Sequence, residues 1–271
     1  VAAAGLAAVA LIAVAAVLFY WSRYLLPPQP DPFTRGPYVT RIGATTATLR
    51  WRIADDRPVT IVATTPDGRT VTSTDGELRG LAPGARQGWV ATVDGRARAW
   101  GSVTTAPTDR DATVRFLAFG DYGEGGDADH AVGRVSAAQA AAFSVIPGDN
   151  AYLASVAPVL DRNLFAPRRA LLAQGPFVAT LGEHDLFFRQ GRDLADALEL
   201  PNGGDRWVFD YGPLRFVMLG LKADGGDVAF VRRALAGRAT RRTYLVVHHP
   251  PHAGNPVLKA ADGRVAAVFA G

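Results

Sequence analysis

The stretch FSVIPGDNAY at residues 143–152 decides the fold class, because an apolar run typical of a buried strand ends there in a Gly-Asp turn. The run FLAFGDYG at residues 116–123 has the same arrangement further upstream. The run FVATLGEHD at residues 177–185 has it downstream, with glutamate in place of aspartate. Apolar strands that alternate with helices predict an α/β domain whose ligand chemistry lies just beyond the carboxyl ends of the strands.

The same pattern extends towards Gly271. YLVVHHPP at residues 244–251 joins an apolar run to histidines, and Val268–Gly271 is a fifth segment of this kind. The runs predicted as buried strands are Val114–Phe119, Phe143–Ile146, Phe177–Leu181, Phe216–Leu219 and Tyr244–Val247. The predicted helices between them are Asp127–Ala142, Pro158–Ala173 and Gly226–Ala236. These elements predict an α/β domain over residues 112–271.

A different pattern precedes this domain. Apolar and polar side chains alternate from Ala47 to Ile53, which is the period of a half-buried strand. Further β-rich runs are Val59–Thr64, Arg69–Ser73, Gly88–Val93 and Ala97–Thr105, separated by turns that contain Gly, Pro and Asp. Short strands at this spacing predict a small all-β sandwich over residues 35–107.

The first residues of the chain bear on its location. Val1–Trp21 carries no charge and is long enough to cross a bilayer as a helix. We therefore predict a transmembrane helix or signal anchor over residues 1–22, followed by a Pro-rich linker over residues 23–34. A cleaved signal peptide and a buried soluble helix are the alternatives. The anchor makes the membrane a partner and predicts an extracytoplasmic catalytic part, at the cell surface or in the periplasm.

Composition excludes several classes of chemistry. The chain has no cysteine, so disulfides, thiolate-bound zinc and thiol catalysis are absent. Its net charge of +4 comes from arginines dispersed along the sequence, whereas nucleic-acid binders concentrate positive charge in a stripe or tail. We therefore expect no specific nucleic-acid partner. A net positive surface would favour the approach of anionic substrates.

Metal-ligating residue types collect after the predicted strands. Of the five histidines in the chain, four stand in two of the loops. These histidines are His184, His248, His249 and His252, and the acidic residues in the equivalent loops are Asp121, Asp149 and Glu183. A single Gly-Asp is more often a turn, but oxygen and imidazole ligands from separate strand ends suit zinc, manganese or iron. The pattern therefore predicts a metal site.

The ordered motifs GDYG, GDNAY, GEHD and HHPP resemble those of the calcineurin-like metallophosphoesterases. That family has GD-x-G, GD-x-x-Y, G-N-H-(D/E) and H-x-P, and then a final G-H-x-H. The tyrosine of the second motif points to the purple acid phosphatase branch. Arg35–Tyr38 and the following strand also resemble the start of the fibronectin type III-like domain that precedes many such enzymes. The resemblance implies an α/β fold of the four-layer β-sandwich metallophosphoesterase type.

The resemblance also implies roles for individual residues. Asp121 and Tyr152 would bind the first metal, and Asp149 would bridge both metals. His248 would bind the second metal, and His184 would contact the phosphate and protonate the leaving oxygen. The implied cofactors are two metal ions, iron together with zinc, manganese or a second iron.

Glu183 departs from the family motif, and three further residues would surround the ligands. Glu183 stands where the family has an asparagine ligand of the second metal; the alternative is a side chain turned to solvent. Asn150, His249 and His252 would lie beside the ligands or on the rim, and His249 could exchange roles with His248. We expect the final His-x-His directly after Gly271. Residues 1–271 alone should then bind metal weakly and show little activity.

These features predict a hydrolase. The expected reaction is metal-dependent hydrolysis of phosphoric esters, in the manner of an acid phosphatase acting on monoesters through a bridging hydroxide. A phosphodiesterase or nucleotidase using the same site is one alternative. A catalytically impaired relative that serves binding or adhesion is another, and the departure at Glu183 favours it.

Overall fold

The computed structural model describes residues 32–236 and 242–271. The predicted membrane helix over residues 1–22 and most of the predicted linker lie outside these residues. Of the helices in the described ranges, none is long and apolar enough to cross a membrane.

Seven antiparallel strands form the sandwich that the alternation predicts. They are β1 Phe33–Ile42, β2 Thr46–Ile53, β3 Val59–Thr64, β4 Thr70–Ser73, β5 Glu77–Arg79, β6 Arg86–Val93 and β7 Arg96–Thr104. Their sheets have the orders β1-β2-β5 and β4-β3-β6-β7. Inward residues such as Leu49, Ile61 and Trp89 are fully buried between the sheets. The more specific resemblance to fibronectin type III stays a prediction.

The predicted boundary of the linker at residue 34 is wrong. Phe33 already belongs to β1, pairs with Ile53 and is buried in the sandwich core. The prolines upstream obscure this strand in the sequence, and so does Pro37 within it. Pro37 is tolerated because the β1–β2 register shifts between Arg35 and Tyr38, so the ladder does not need its missing N–H.

The α/β domain contains two further sheets. The first joins β8 Leu117–Ala118, β9 Ser144–Ile146 and β10 Phe177–Ala179 in the parallel order β10-β9-β8. The second joins β11 Trp207–Tyr211, β12 Leu214–Met218, β13 Arg242–Val246 and β14 Ala267–Phe269 in sequence order. Its last three strands are parallel, and β11 is antiparallel to β12. The hairpin strand β11 was not predicted from the sequence.

Aromatic side chains fill the space between these two sheets. Phe116, just before β8, stacks on Phe143 with ring centroids 5.4 Å apart and meets Phe216 of β12 edge-on at 5.1 Å. Tyr244 and Phe269 extend the cluster from β13 and β14. Offset and edge-on ring pairs are favourable packing geometries. The two sheets therefore share one core.

Helices cover the domain. They are Asp127–Ala137, Ala157–Val159, Arg169–Leu172, Glu183–Leu186, Arg192–Leu198, Val228–Leu235 and Pro256–Ala261. Val228–Leu235 and Pro256–Ala261 pack on the other face of the second sheet through Val231, Val257 and Leu245. A π-helical turn, Leu160–Phe165, and short 3₁₀ turns, Pro201–Gly204 and Gly225–Asp227, complete the elements. The α/β prediction is confirmed as two sheets between helices.

Two predicted helices differ from the structure. The predicted Asp127–Ala142 helix ends at Ala137, since the chain turns and Ala140 is left-handed with φ of 52°. The predicted Pro158–Ala173 helix is interrupted between Phe165 and Arg169. Pro167 lies in this gap, where it cannot donate to the helical ladder and its ring excludes the preceding turn.

Buried polar contacts join the sandwich to the α/β domain. Arg35 of β1 donates from Nε to Oδ1 of Asp161 at 2.7 Å, and Arg52 of β2 also binds this carboxylate. The Arg35 guanidinium lies 4.0 Å from the centre of the Phe165 ring. Trp89 Nε1 donates to the carbonyl of Ala173 at 3.1 Å. These contacts order the two domains against each other.

Candidate metal centre

The loops after the strands bring the predicted acids together through unusual backbone conformations. Asp121 and Asp149 have φ of 50° and 49°, in the left-handed region that aspartate tolerates better than most residues. A Cβ on Gly148 would lie 2.6 Å from Nδ1 of His248, and one on Gly182 would lie 2.2 Å from Oδ1 of Asp149. Gly148 and Gly182 are therefore required, because the loops approach within contact distance at these two positions.

One group of three ligand atoms comes from Asp121, Asp149 and His248, all within 4.8 Å of one another. Asp149 is buried, and its Oδ1 accepts the backbone N–H of His184 at 3.1 Å. Nε2 of His248 lies 3.7 Å from the same oxygen. This spacing is large enough for a cation to enter between the donors.

A second group comes from Glu183, His248 and His249, again with all ligand atoms within 4.8 Å. Oε2 of Glu183 lies 2.8 Å from Nε2 of His248 and 3.1 Å from Nε2 of His249. Desolvation raises the pKa of Glu183, but its own backbone N–H and the two histidines outweigh this, so the pKa lies below its usual value. His248 belongs to both groups, which therefore adjoin.

Backbone carbonyls orient both central imidazoles. Nδ1 of His248 lies 2.9 Å from the carbonyl oxygen of Pro147, and Nδ1 of His184 lies 3.2 Å from that of Leu153. A carbonyl only accepts, so each Nδ1 carries the proton of its hydrogen bond. Nε2 of each ring then faces the carboxylates, 4.0 Å from Oδ2 of Asp149 in the case of His184. Such backbone partners commonly orient metal-binding histidines.

Tyr152 lies at the edge of the first group. Its hydroxyl donates to Oδ1 of Asp121 at 3.2 Å, and its ring meets His184 edge-on with centroids 4.6 Å apart. Burial raises the pKa of Tyr152, and the charges of Asp149 and Asp121 raise it further. A cation at this position would have to offset those carboxylates before Tyr152 could bind as a phenolate.

Asp185 is a positioning residue that was given no role from the sequence. Its buried carboxylate accepts the backbone N–H of Gly182 at 2.9 Å and that of Asn150 at 3.0 Å, and it also binds Ser155 Oγ. Burial raises the pKa of Asp185 above its usual value, and this effect outweighs the hydrogen bonds, which lower the pKa. The carboxylate thus ties the GDNAY loop to the GEHD loop. The signal available was the acid at the fourth position of GEHD.

Two predicted neighbours of the site lie outside both ligand groups. Asn150 is fully buried, and its side-chain amide donates to the carbonyl of Thr180 and to Asp185. His252 is exposed, and its Nδ1 accepts the backbone N–H of Gly254 at 3.2 Å. Asn150 therefore supports the loops, while the rim position predicted for His252 stays a prediction.

The donor set fits the metals that the sequence suggests. The two groups offer carboxylate oxygens and imidazole nitrogens whose Nε2 atoms face inward. Such hard and intermediate donors suit manganese, iron and zinc. Metal binding at these residues is therefore chemically consistent.

Fold and site together define a β-sandwich joined to a two-sheet α/β domain, with an acid–histidine cluster at the strand ends of that domain. A solved structure described as that of PhoD has a similar fold, with a TM-score of 0.57 and 16% identity over 81% of this chain. The match covers 63% of PhoD, so the chain spans less than two thirds of its length. At this identity the likeness shows the fold alone.

Other comparisons add little. A β-glucuronidase from Faecalibacterium prausnitzii aligns at 9% identity over 89% of this chain and 59% of its own, with a TM-score of 0.33. A score this low carries no argument about function. No protein family matches the chain, and no curated protein does.

Proposed function

We propose that the protein is a metal-dependent hydrolase of phosphoric esters that acts on monoesters, like the purple acid phosphatase branch it resembles. The observation that carries this proposal is the pair of adjoining ligand groups that share His248, with His184 directed at the same carboxylates. The PhoD-like fold and the ordered motifs support it. The fold positions these residues at strand ends, where α/β proteins bind ligands.

Each residue of the cluster would have a distinct task. Asp121, Asp149 and Tyr152 would hold one metal ion, and Glu183 and His248 would hold the other together with Asp149. Bound metals would polarise the phosphoryl oxygens and lower the pKa of an attacking water. His249 would steady Glu183 through the contact of 3.1 Å between its Nε2 and Oε2.

His184 would supply the proton for the leaving group. Its Nδ1 is engaged by the carbonyl of Leu153, so Nε2 remains the atom that can carry a proton towards the substrate. The departing alkoxide takes that proton as its bond to phosphorus breaks. General acid catalysis of this kind typically contributes about 10²–10⁴-fold in rate. Asp149 and Glu183 cannot easily serve this purpose while they are ionised ligands.

Two model substrates test the proposal. Purified full-length protein is incubated with p-nitrophenyl phosphate and bis-p-nitrophenyl phosphate while Mn²⁺, Zn²⁺ or Fe²⁺ is supplied. We expect the monoester to be hydrolysed faster. Faster hydrolysis of the diester would instead favour the phosphodiesterase alternative. Hydrolysis of neither, with metal bound in stoichiometric amount, would favour a non-catalytic relative.

Replacing Glu183 tests the departure from the family motif. A carboxylate adds negative charge beside the metals, which strengthens their binding but makes them weaker Lewis acids. We expect Glu183→Asn to lower metal affinity and to raise turnover of the metal-saturated protein. Metal titration and phosphatase assays measure both effects.

Two variants control for this change. Glu183→Gln removes the charge but keeps the length of the side chain, so it separates charge from reach. Glu124→Gln makes the same substitution at an exposed acid outside both ligand groups and should change neither quantity. Unchanged metal affinity and turnover in Glu183→Asn would show that Glu183 is not a ligand.

We also propose that residues 1–22 anchor the protein in a membrane with its catalytic part outside the cytoplasm. The proposal rests on the uncharged apolar sequence Val1–Trp21. We expect the protein to stay in the membrane fraction after alkaline washing and to be cleaved by protease added outside the cytoplasm. Release by alkaline washing would contradict the anchor.

A further inference from the structure

The surroundings of His184 differ from those of the metal-ligand groups. Its Nε2 faces the carboxylate of Asp149 at 4.0 Å, on the polar side of the site. On its other sides the imidazole meets the Tyr152 ring at 4.6 Å between centroids and the Phe187 ring at 5.3 Å, both edge-on. His184 therefore lies at the boundary between a charged surface and an aromatic one.

The aromatic side opens directly to solvent. Leu153, Phe187 and Phe188, which we call the apolar rim, are 48%, 49% and 88% exposed. Large apolar side chains of this kind are unfavourable at a surface unless something covers them. Adjacent exposed apolar residues commonly mark a binding site. In the described part of the chain, the apolar rim is the exposed apolar cluster that adjoins the ligand groups.

The rim is held in a defined conformation. Phe188 has φ of 64°, a left-handed conformation that is rare for a bulky residue. Arg189 next to it forms an ion pair of 2.5 Å with Asp193, whose other oxygen accepts the backbone N–H of Ala157 at 2.9 Å. Unfavourable backbone conformations that surrounding contacts maintain are concentrated at functional sites. The exposed position of Phe188 is therefore fixed by its loop.

We propose that the apolar rim binds the alcohol portion of the substrate ester, and that this portion is an alkyl or aryl group. The inference rests on the proposed function. His184 delivers its proton to the leaving oxygen, so the carbon attached to that oxygen must lie next to His184. The Phe187 ring packs against the imidazole there, the Leu153 carbonyl contacts Nδ1, and Phe188 follows Phe187 in the chain, whereas the charged ligands lie on the phosphoryl side. The substrate class is thus a phosphate ester of an apolar alcohol.

Alkyl phosphates provide the most direct test, because lengthening the chain changes apolar area and leaves the leaving-group acidity nearly constant. Complete burial of one methylene corresponds to about fourfold in an equilibrium constant, and on a half-open rim we expect about twofold. For the full-length protein, kcat/KM should then be about 16-fold higher for n-hexyl phosphate than for ethyl phosphate. Binding of n-hexylphosphonate and ethylphosphonate, measured by calorimetry, should show a similar ratio without any turnover.

Variants assign the effect to the rim. The double variant Phe187→Ala/Phe188→Ala should reduce the hexyl-to-ethyl ratio to about twofold or less, and Phe187→Leu/Phe188→Leu should retain most of it. Trp100→Ala is the matched control, since Trp100 is 75% exposed but belongs to β7 of the sandwich. It should leave the ratio unchanged.

The possible results test the role of the apolar rim and the proposed hydrolase function separately. Hydrolysis of both alkyl phosphates at equal kcat/KM would overturn the inference and leave the hydrolase proposal standing. A ratio that persists in the double alanine variant would also overturn it, since the selectivity would arise elsewhere. Absence of hydrolysis would contradict the proposed function, while chain-length-dependent phosphonate binding that the alanine variant abolishes would still support an apolar ligand at the rim.

Discussion

Replacing Asp149 by asparagine is expected to lower kcat/KM for p-nitrophenyl phosphate by about 10³-fold, or about 4 kcal/mol of transition-state stabilisation. The Asp149 carboxylate belongs to the first ligand group and lies 3.7 Å from Nε2 of His248, which both groups share, and 4.0 Å from Nε2 of His184. Asparagine keeps the size of the side chain but removes the charge and one oxygen ligand. Bound metal, measured by elemental analysis, should fall together with activity.

Folding and surface charge need separate controls in this experiment. The far-ultraviolet circular dichroism spectrum of Asp149→Asn should match that of the unmodified protein. Asp56→Asn makes the same chemical change at an exposed residue of the sandwich and should leave activity and metal content unaltered. An Asp149→Asn protein that retains both metal and activity would show that Asp149 does not contribute to the centre.

Replacing Asp161 by asparagine is expected to cost about 3–5 kcal/mol in the free energy of unfolding. The side chains of Asp161 and Arg35 are only 3% and 9% exposed, and the guanidinium also packs on Phe165. Loss of the carboxylate charge leaves this guanidinium buried without its counterion. The unpaired charge destabilises the folded state by more than the intact ion pair stabilises it. Urea denaturation followed by circular dichroism measures the difference.

The matched control is a pair of the same chemical type on the surface. Asp55 and Arg57 form a contact of 2.8 Å, but their side chains are 51% and 30% exposed. Solvent screens such a pair, so Asp55→Asn should not change the urea concentration at the midpoint of unfolding. If Asp161→Asn and Asp55→Asn behave alike, the buried pair does not hold the two domains together.

The sequence predicts the central strands of the α/β domain because they are continuous apolar runs that end in Gly-acid turns. Since parallel strands end at the same edge of a sheet, these turns also predict that Asp121, Asp149 and Glu183 come together. The structure brings them together with His248, and their roles as metal ligands stay predictions.

Other features depend on contacts between distant residues and have no local signal. Strand β1 carries Pro37, and only its pairing with β2 reveals it as a strand. The hydrogen bonds that orient His248 and His184 come from the carbonyls of Pro147 and Leu153. Backbone carbonyls occur at every position, so their partners follow only from the folded chain. Long-range pairing of this kind lies outside what local patterns can predict.

The most direct test of the account is the number of metal ions bound by the full-length protein and by its His248→Ala and His249→Ala variants. His248 belongs to both ligand groups, whereas His249 belongs to one. Elemental analysis after dialysis should find two ions per chain in the unmodified protein, loss of at least the ion held by Glu183 and His248 in His248→Ala, and at least one ion retained in His249→Ala. No bound metal in the unmodified protein, or two ions retained by His248→Ala, would contradict a dinuclear centre at these residues.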